Sequence, residues 1–491
     1  MTAAAGGHGP VSGTAMAIAE GRWSAVAAVG LALDRLAAHP ELNCTTELRG
    51  ELALRDAAAV DARVTAGERL GPLVGVPVLV KDLEDVAGMA TRAGSALFDG
   101  MAPADEDAWP VARLRSAGAV VVGKSTLPEL ATEGFTDSPR FGPTRNPWSL
   151  ERSPGGSSGG SAAALAAGLV PLATATDGGG SVRIPAAFCG LLGLKPTHGA
   201  VGRWPAADWL DLSTSGPLAT EAGDLRLLFG VMTGVAPGDP GSAPAAALVS
   251  AVDSGSPRWG RLLAAERTSD LGPLPPEVAS RHATGVEALA ELLGLPVEWH
   301  EPDSFFAGVG VPDEDWFTLT SAEHVAALTQ VLGSRTRVEE VVETPGLLHP
   351  GTAEFLGQGL AVGIDQYLAA RRRRPLAVRR IDDLLGPDSS GAVGLLVTPT
   401  VAHDAWLADG RLGPSDPISA LPAEVYSTAV QNLTGHPALS LPWGRDPAGV
   451  PSGLQVTAPR WHDLLLLDLA AAWQTAHPWP VTAPGYRPWP D

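Results

Sequence analysis

The 491-residue chain carries 54 acidic against 34 basic side chains, a formal net charge of −20 with an isoelectric point near 4.9. That balance argues against nucleic acid or an anionic membrane as partner. No run approaches the ~20 apolar residues of a membrane span, and the opening MTAAAGGHGP has neither the basic nor the apolar region of a signal peptide, so a soluble, cytoplasmic protein is expected. Cys44 and Cys189 are the only cysteines, which excludes a disulfide framework and fits a reducing compartment.

Residues 12–38 place apolar side chains at helical spacing and stop before Pro40, and 51–69 read as a second helix with its charges on one face. Leu73–Val80 is a valine-rich strand, with Lys81 emerging at its C-terminal end. Taken alone, Lys81 reads as a surface lysine paired with Asp82 or Glu84; together with Ser157 and Ser181 it reads as a site residue. Within 105–130, Gly118, Gly123, Lys124 and Ser125 satisfy the phosphate-loop pattern G-x-x-x-x-G-K-[ST]. The intervening AVVV is itself a strand and not a flexible loop, so a helix, a Gly118 cap, a buried strand and a turn are expected instead.

The densest signal runs from Gly142 to Pro196, where two clusters, Gly155–Ser161 and Gly178–Ser181, flank an Ala-rich segment. The first runs into SAAALAAGL, a strong helix former, which sets its N–H groups at a helix N-terminus. The second follows LVPLATATD, which reads as a buried strand. Strand, glycine-rich turn and Ser181 together look like a nucleophile with oxyanion donors built in. Gly155-x-Ser157-x-Gly159 also matches the nucleophile elbow of an α/β-hydrolase-type esterase, but the preceding NPWSLERSP offers prolines and charges where the elbow needs a strand. Ser158 and Ser161 are expected to be structural, and Cys189, in FCGLLGLKP, an inert core thiol.

Beyond about residue 235 the chain is quieter. Residues 236–345 carry helices near 275–293 and 320–335 and the aromatics Phe305, Phe306, Trp316 and Phe317, without a motif. Arg371–Arg374, Arg379 and Arg380 fall in a helical segment, 364–386, and are expected to pair with local acids rather than to bind nucleic acid. Strands at 394–406, 431–444 and 449–459 and a last helix over 462–475 complete the reading.

GGSSGGSAAALAAG followed by DGGGSVRIPAAFCGLLGLKPT resembles the amidase signature family of serine hydrolases, and the matching segments run from about Gly71 to Pro459. The resemblance implies Ser181 as nucleophile, Ser157 as a serine preceded by a cis peptide bond, and Lys81, in GVPVLVKD, as the third catalytic residue. It further implies an oxyanion hole from the N–H groups of Gly178, Gly179, Gly180 and Ser181, with Asp177 and Arg183 in support. Gly178 departs from the Ile, Thr or Ser of many members but keeps its N–H. The implied fold is α/β, a mixed central β-sheet covered on both faces by helices. A helical lead-in (1–70) would precede an amidase domain (71–491) that forms one structural unit. Within it lie a signature core (about 71–235), a variable substrate-entrance region (about 236–390) and C-terminal strands and helix (about 391–491).

Amide hydrolysis needs an activated nucleophile, an oxyanion site and a proton donor. A free lysine has a pKa of about 10.4, so Lys81 serves as base near neutral pH only if burial lowers it; Ser157 then relays the proton between Ser181 and Lys81. A small-molecule amide is the expected substrate, with no metal or organic cofactor, since there is no H-E-x-x-H and no Cys/His pairing at zinc spacing. A homodimer is left open. The rival within the family is the glutamine-hydrolysing component of a tRNA-dependent amidotransferase, which ATEGFTDSPRFG (131–142) does not resemble. A non-catalytic binding protein is disfavoured by the intact Lys81, Ser157 and Ser181.

Overall fold

The computed structural model describes residues 9–206, 208–249, 259–268, 273–301, 305–306, 308–418 and 427–490. Most of the opening segment read for a signal peptide, and 250–258 of the loop-rich stretch after 235, lie outside the described residues.

The chain is α/β, and among the described residues hydrogen bonding divides the strands among three sheets. Strands β1 (Thr45–Leu48), β2 (Pro77–Lys81), β3 (Val120–Ser125) and β4 (Leu172–Ala173) form a four-stranded sheet in the order β1-β3-β2-β4. Parallel pairing of β2 with β3 and β4 buries β2 throughout, which explains its continuous Val/Leu run. A short pair follows, β5 (Thr176–Asp177) with β7 (Thr214–Ser215). The seven-stranded sheet takes β6 (Leu192–Lys195), β8 (Leu218–Ala219), β9 (Trp259–Ala264), β10 (Val297–Trp299), β11 (Val393–Pro399), β12 (Ala438–Arg445) and β13 (Pro451–Thr457), in the order β10-β9-β11-β13-β12-β6-β8. Its β10-β9-β11 edge is parallel and the rest antiparallel. Helices Arg183–Cys189, Pro276–Leu293 and Asp463–Ala476 pack on this sheet, and Gly159–Ala166 on the four-stranded one.

The phosphate-loop match is strand, as expected: Gly123, Lys124 and Ser125 lie within β3. Lys124 is buried and pairs at 3.1 Å with the equally buried Asp82, so Asp82 is taken by Lys124 and leaves Lys81 to other partners. The single helix expected over 12–38 is two, Pro10–Ala19 and Ala25–Ala38. Gly21, at φ +70°, reverses the chain between them, and Ser24 caps the second by accepting from the Ala27 N–H. LVPLATATD likewise splits into β4 and β5. The basic helix, Ile364–Leu385, behaves as read: Arg371 and Arg374 pair with Asp211, Arg373 with Asp315 and Arg379 with Asp383.

A large apolar core runs from the N-terminal helices to Trp473, and a second gathers Phe305, Leu319, Phe355 and Leu385 with Trp209 and Trp316. Ser157 and Ser181 line a cavity that Trp209 of the second core also lines. Among the described residues no helix is long and apolar enough to cross a membrane.

Candidate active site

Lys81 ends β2 and is fully buried. Its ammonium nitrogen donates to Ser157 Oγ at 2.7 Å and to Thr176 Oγ1 at 2.9 Å, while its backbone N–H donates to Thr174 Oγ1. Burial pushes the Lys81 pKa down to about 7, against the raising influence of Glu84 and Asp177, with Arg203 lowering it further. A neutral amine is therefore accessible near neutral pH. Glu84, raised by its own burial, accepts from Ser215 Oγ at 3.0 Å.

Ser157 stands two residues before the Gly159–Ala166 helix, is 1% exposed, and follows a cis Gly156–Ser157 peptide. No strand precedes it, so the geometry of a nucleophile elbow is absent. No histidine among the described residues hydrogen-bonds Ser157 or Ser181. Ser181 lies between the glycine turn and the Arg183–Cys189 helix, is partly exposed, and with Ser157, Thr176 and Gly178 lines a cavity of about 340 Å³. The neighbouring serines are occupied in the scaffold: Ser158 Oγ donates to the Thr176 carbonyl and Ser161 Oγ to that of Thr174.

The turn before Ser181 is held from below by Asp177. Its carboxylate accepts from the N–H groups of Gly180 (2.8 Å) and Val182 (3.2 Å), from Asn432 Nδ2, and from Arg183 through both Nε and Nη2. Burial pushes the Asp177 carboxyl up, but the Arg183 guanidinium and its hydrogen bonds outweigh that and hold the group below the ordinary aspartate range. Arg183 reaches on to Gln431, Asn432 and Gln455. Both partners of this pair are fully buried, and removing one charge strands the other, so Arg183→Ala is expected to cost about 3–5 kcal/mol of stability. Urea unfolding of the purified variant is the check; a loss below ~1 kcal/mol would mean the pair behaves as a surface one.

One expectation needs correction. The Gly180 N–H is bound to Asp177, so Gly180 is not a free oxyanion donor. Gly178, Gly179 and Ser181 keep amides that donate to no protein acceptor among the described residues. Carbonyl clamps orient the peptides: Trp316 Nε1 donates to the Gly178 carbonyl at 2.8 Å, Thr428 Oγ1 to that of Gly179, and Ile184 N–H to that of Gly180. In a planar trans peptide the C=O and the following N–H point oppositely. Clamping the Gly178 and Gly180 carbonyls thus turns the Gly179 and Ser181 N–H groups away from those donors.

Sequence reasoning missed, as site residues, Thr174, Thr176, Trp209, Trp316, Thr428, Gln431, Asn432 and Gln455. Buried polar groups are hydrogen-bonded, so Gln455 in the apolar GLQVTAP was the available signal, but it named no partner. The cavity walls come chiefly from 83–131 and 203–215; from 236–390 the described lining is His324, Ala327, Leu328 and Val331, all on the Pro312–Leu332 helix.

Comparison with known proteins bears on the same residues. The amidase family profile matches residues 27–467. The chain is 37% identical over 461 residues to AmiB2 of Mycobacterium tuberculosis, whose name assigns it to the amidases, with 91% of each chain covered. It is 34% identical over 492 residues to the A component of the glutamyl-tRNA(Gln) amidotransferase of Pseudomonas fluorescens, covering 97% of this chain and 99% of that one. Among solved structures, 6-aminohexanoate cyclic dimer hydrolase superposes with a TM-score of 0.82 at 28% identity, covering 97% and 98% of the two chains.

Proposed function

The chain belongs to the amidase signature family, whose members include hydrolases of amide bonds, and from that premise we propose that it cleaves a carboxylic amide to acid plus ammonia or amine through an acyl-enzyme on Ser181. The observation that carries the proposal is the 2.7 Å contact from the buried Lys81 amine to Ser157 Oγ, in a cavity that Ser181 also lines.

Ser181 Oγ attacks the carbonyl carbon; its proton passes to Ser157 Oγ as Ser157 gives its own to neutral Lys81. The oxyanion is held by amides of Gly178, Gly179 and Ser181, where one donor is worth about 3–4 kcal/mol. As the tetrahedral intermediate collapses, the proton returns through Ser157 to the leaving nitrogen and the C–N bond breaks. Water, deprotonated along the same relay, then adds to the acyl carbon; the bond to Ser181 Oγ breaks as the proton returns from Lys81 through Ser157 to Ser181, and the acid is released. Asp177 and Arg183 hold the turn in place and touch no reacting atom.

A fluorophosphonate probe is expected to label Ser181 and not Ser157, because Ser181 is partly open to the cavity and Ser157 is closed off. Peptide mapping by mass spectrometry reads the result, and an adduct on Ser157 would overturn the assignment. Dialysis against a chelator is expected to leave turnover intact; loss of activity restored by a divalent ion would refute a metal-free mechanism.

The identity to the A component of an amidotransferase supports a second reading, ammonia release from glutamine for a partner enzyme. Assay of the isolated chain separates the two: a stand-alone amidase turns over simple amides unaided, whereas an amidotransferase component depends on its partners. Two buried, unpaired cysteines accord with a reducing, cytoplasmic setting.

A further inference from the structure

Gly178 has no side chain, and the indole of Trp209 fills the space where one would stand: a Cβ on Gly178 would lie 2.2 Å from Trp209 Cε3. The indole is held there from three sides. Trp209 Nε1 donates to His324 Nδ1 at 3.0 Å, Trp316 meets it edge-on with ring centroids 5.6 Å apart, and Phe355 packs against it at 6.1 Å. His324 and Trp316 share one helix, and that same Trp316 clamps the Gly178 carbonyl. Trp209 is thus fixed to the backbone of the glycine turn and to the helix beyond it, and it lines the cavity that holds Ser157 and Ser181.

The rest of the lining suits a small uncharged ligand. Leu83, Phe98, Leu130 and Leu328 supply apolar walls, and about 340 Å³ stands at the small end of the ~300–1,000 Å³ range of ligand cavities. Its charged residues are Glu84, Asp85 and Asp208 against Arg203, a balance that disfavours a free carboxylate on the substrate. A rigid aromatic face in such a cavity favours planar rings, which stack or meet it edge-on.

Building on the amide-hydrolase reading above, we propose that Trp209, seated over Gly178, is the specificity-determining wall of this site, and that the substrate is an uncharged amide with a planar ring on its carbonyl carbon or its nitrogen. Benzamide, acetanilide and propionamide test this as a panel: a ring on the acyl side, a ring on the amine side, and none. The wild type is expected to favour one ring-bearing amide over propionamide in kcat/KM by about tenfold or more, and Trp209→Ala to cut that preference by about tenfold or more. Gly178→Ser is expected to impair every substrate by driving the indole from its seat, and adding Trp209→Ala to restore propionamide turnover above the level of Gly178→Ser alone.

Equal losses on all three amides in Trp209→Ala, a wild-type preference for propionamide, or no rescue in the double variant would overturn the inference. Fluorophosphonate labelling separates its failure from that of the underlying reading, since labelling reports the nucleophile without the panel. Labelling of Ser181 without turnover of any panel member moves the test to protection: benzamide or acetanilide shielding Ser181 better than propionamide, and losing that advantage in Trp209→Ala, supports the wall, and equal shielding refutes it. Neither labelling nor turnover would sink both.

Discussion

Lys81→Ala is expected to lower kcat for amide hydrolysis by about 10²–10⁴-fold, the usual loss on removing a general base. The wild-type enzyme should gain activity as pH rises through about 7, where Lys81 loses its proton, and hold a plateau into mildly alkaline conditions. The sign follows from the chemistry: the amine accepts a proton only when neutral, and burial makes the neutral form the favoured one above that pH. A histidine base would place its limb near 6.5, too close for the limb alone to decide, so the variants carry the distinction. Lys81→Arg should give no rescue, because a guanidinium does not deprotonate in this range. An ester with a good leaving group should suffer less than an amide, since its leaving group needs little protonation. Initial rates on a matched amide and ester, across pH, provide the check. Amide turnover in Lys81→Ala within a few-fold of wild type would remove Lys81 from the mechanism.

Ser157→Ala should leave the fold standing and remove most of the activity. Lys81 keeps its second hydrogen bond, to Thr176 Oγ1 at 2.9 Å, so the buried amine is not left unsatisfied. What disappears is the hydroxyl between base and nucleophile, and with it the transfer in both directions, for an expected loss of about 10²-fold or more. Melting temperature and kcat on one preparation decide the matter. Near-native kcat with an unchanged melting temperature would make Ser157 a structural residue.

The parts of the site legible in the sequence were those written into short windows. Lys81 is announced by GVPVLVKD, and Ser157 and Ser181 by glycine-rich clusters whose composition serves close backbone approach. Those windows say which groups are present but not which are already engaged. Gly180 illustrates the limit, because its N–H looks like an oxyanion donor until Asp177, three residues earlier, is seen to hold it. Trp209, Trp316 and Thr428 were illegible for a different reason: each meets the glycine turn from a distant element, and an aromatic or hydroxyl residue in a loop or helix has no local signature of what it will touch. The α/β class was readable from apolar runs between helical segments. The division into three sheets was not, because β2 and β11 are both fully buried Val/Leu runs, and ladder membership depends on partners that periodicity does not name.

The Arg183 network also bears on how the enzyme is made. Arg183 finds Gln431 and Gln455 at separations of 248 and 272 positions along the chain, and Asp177 finds Asn432 at 255. A chain leaving the ribosome exposes Lys81, Ser157 and Ser181 early, but the side chains that brace the turn bearing Ser181 are synthesised well after it. Contacts of such long range form late. A nascent chain should accordingly stay inert towards a serine-directed probe until β13 has emerged, so that hydrolytic competence arrives long after Ser181 itself has been made.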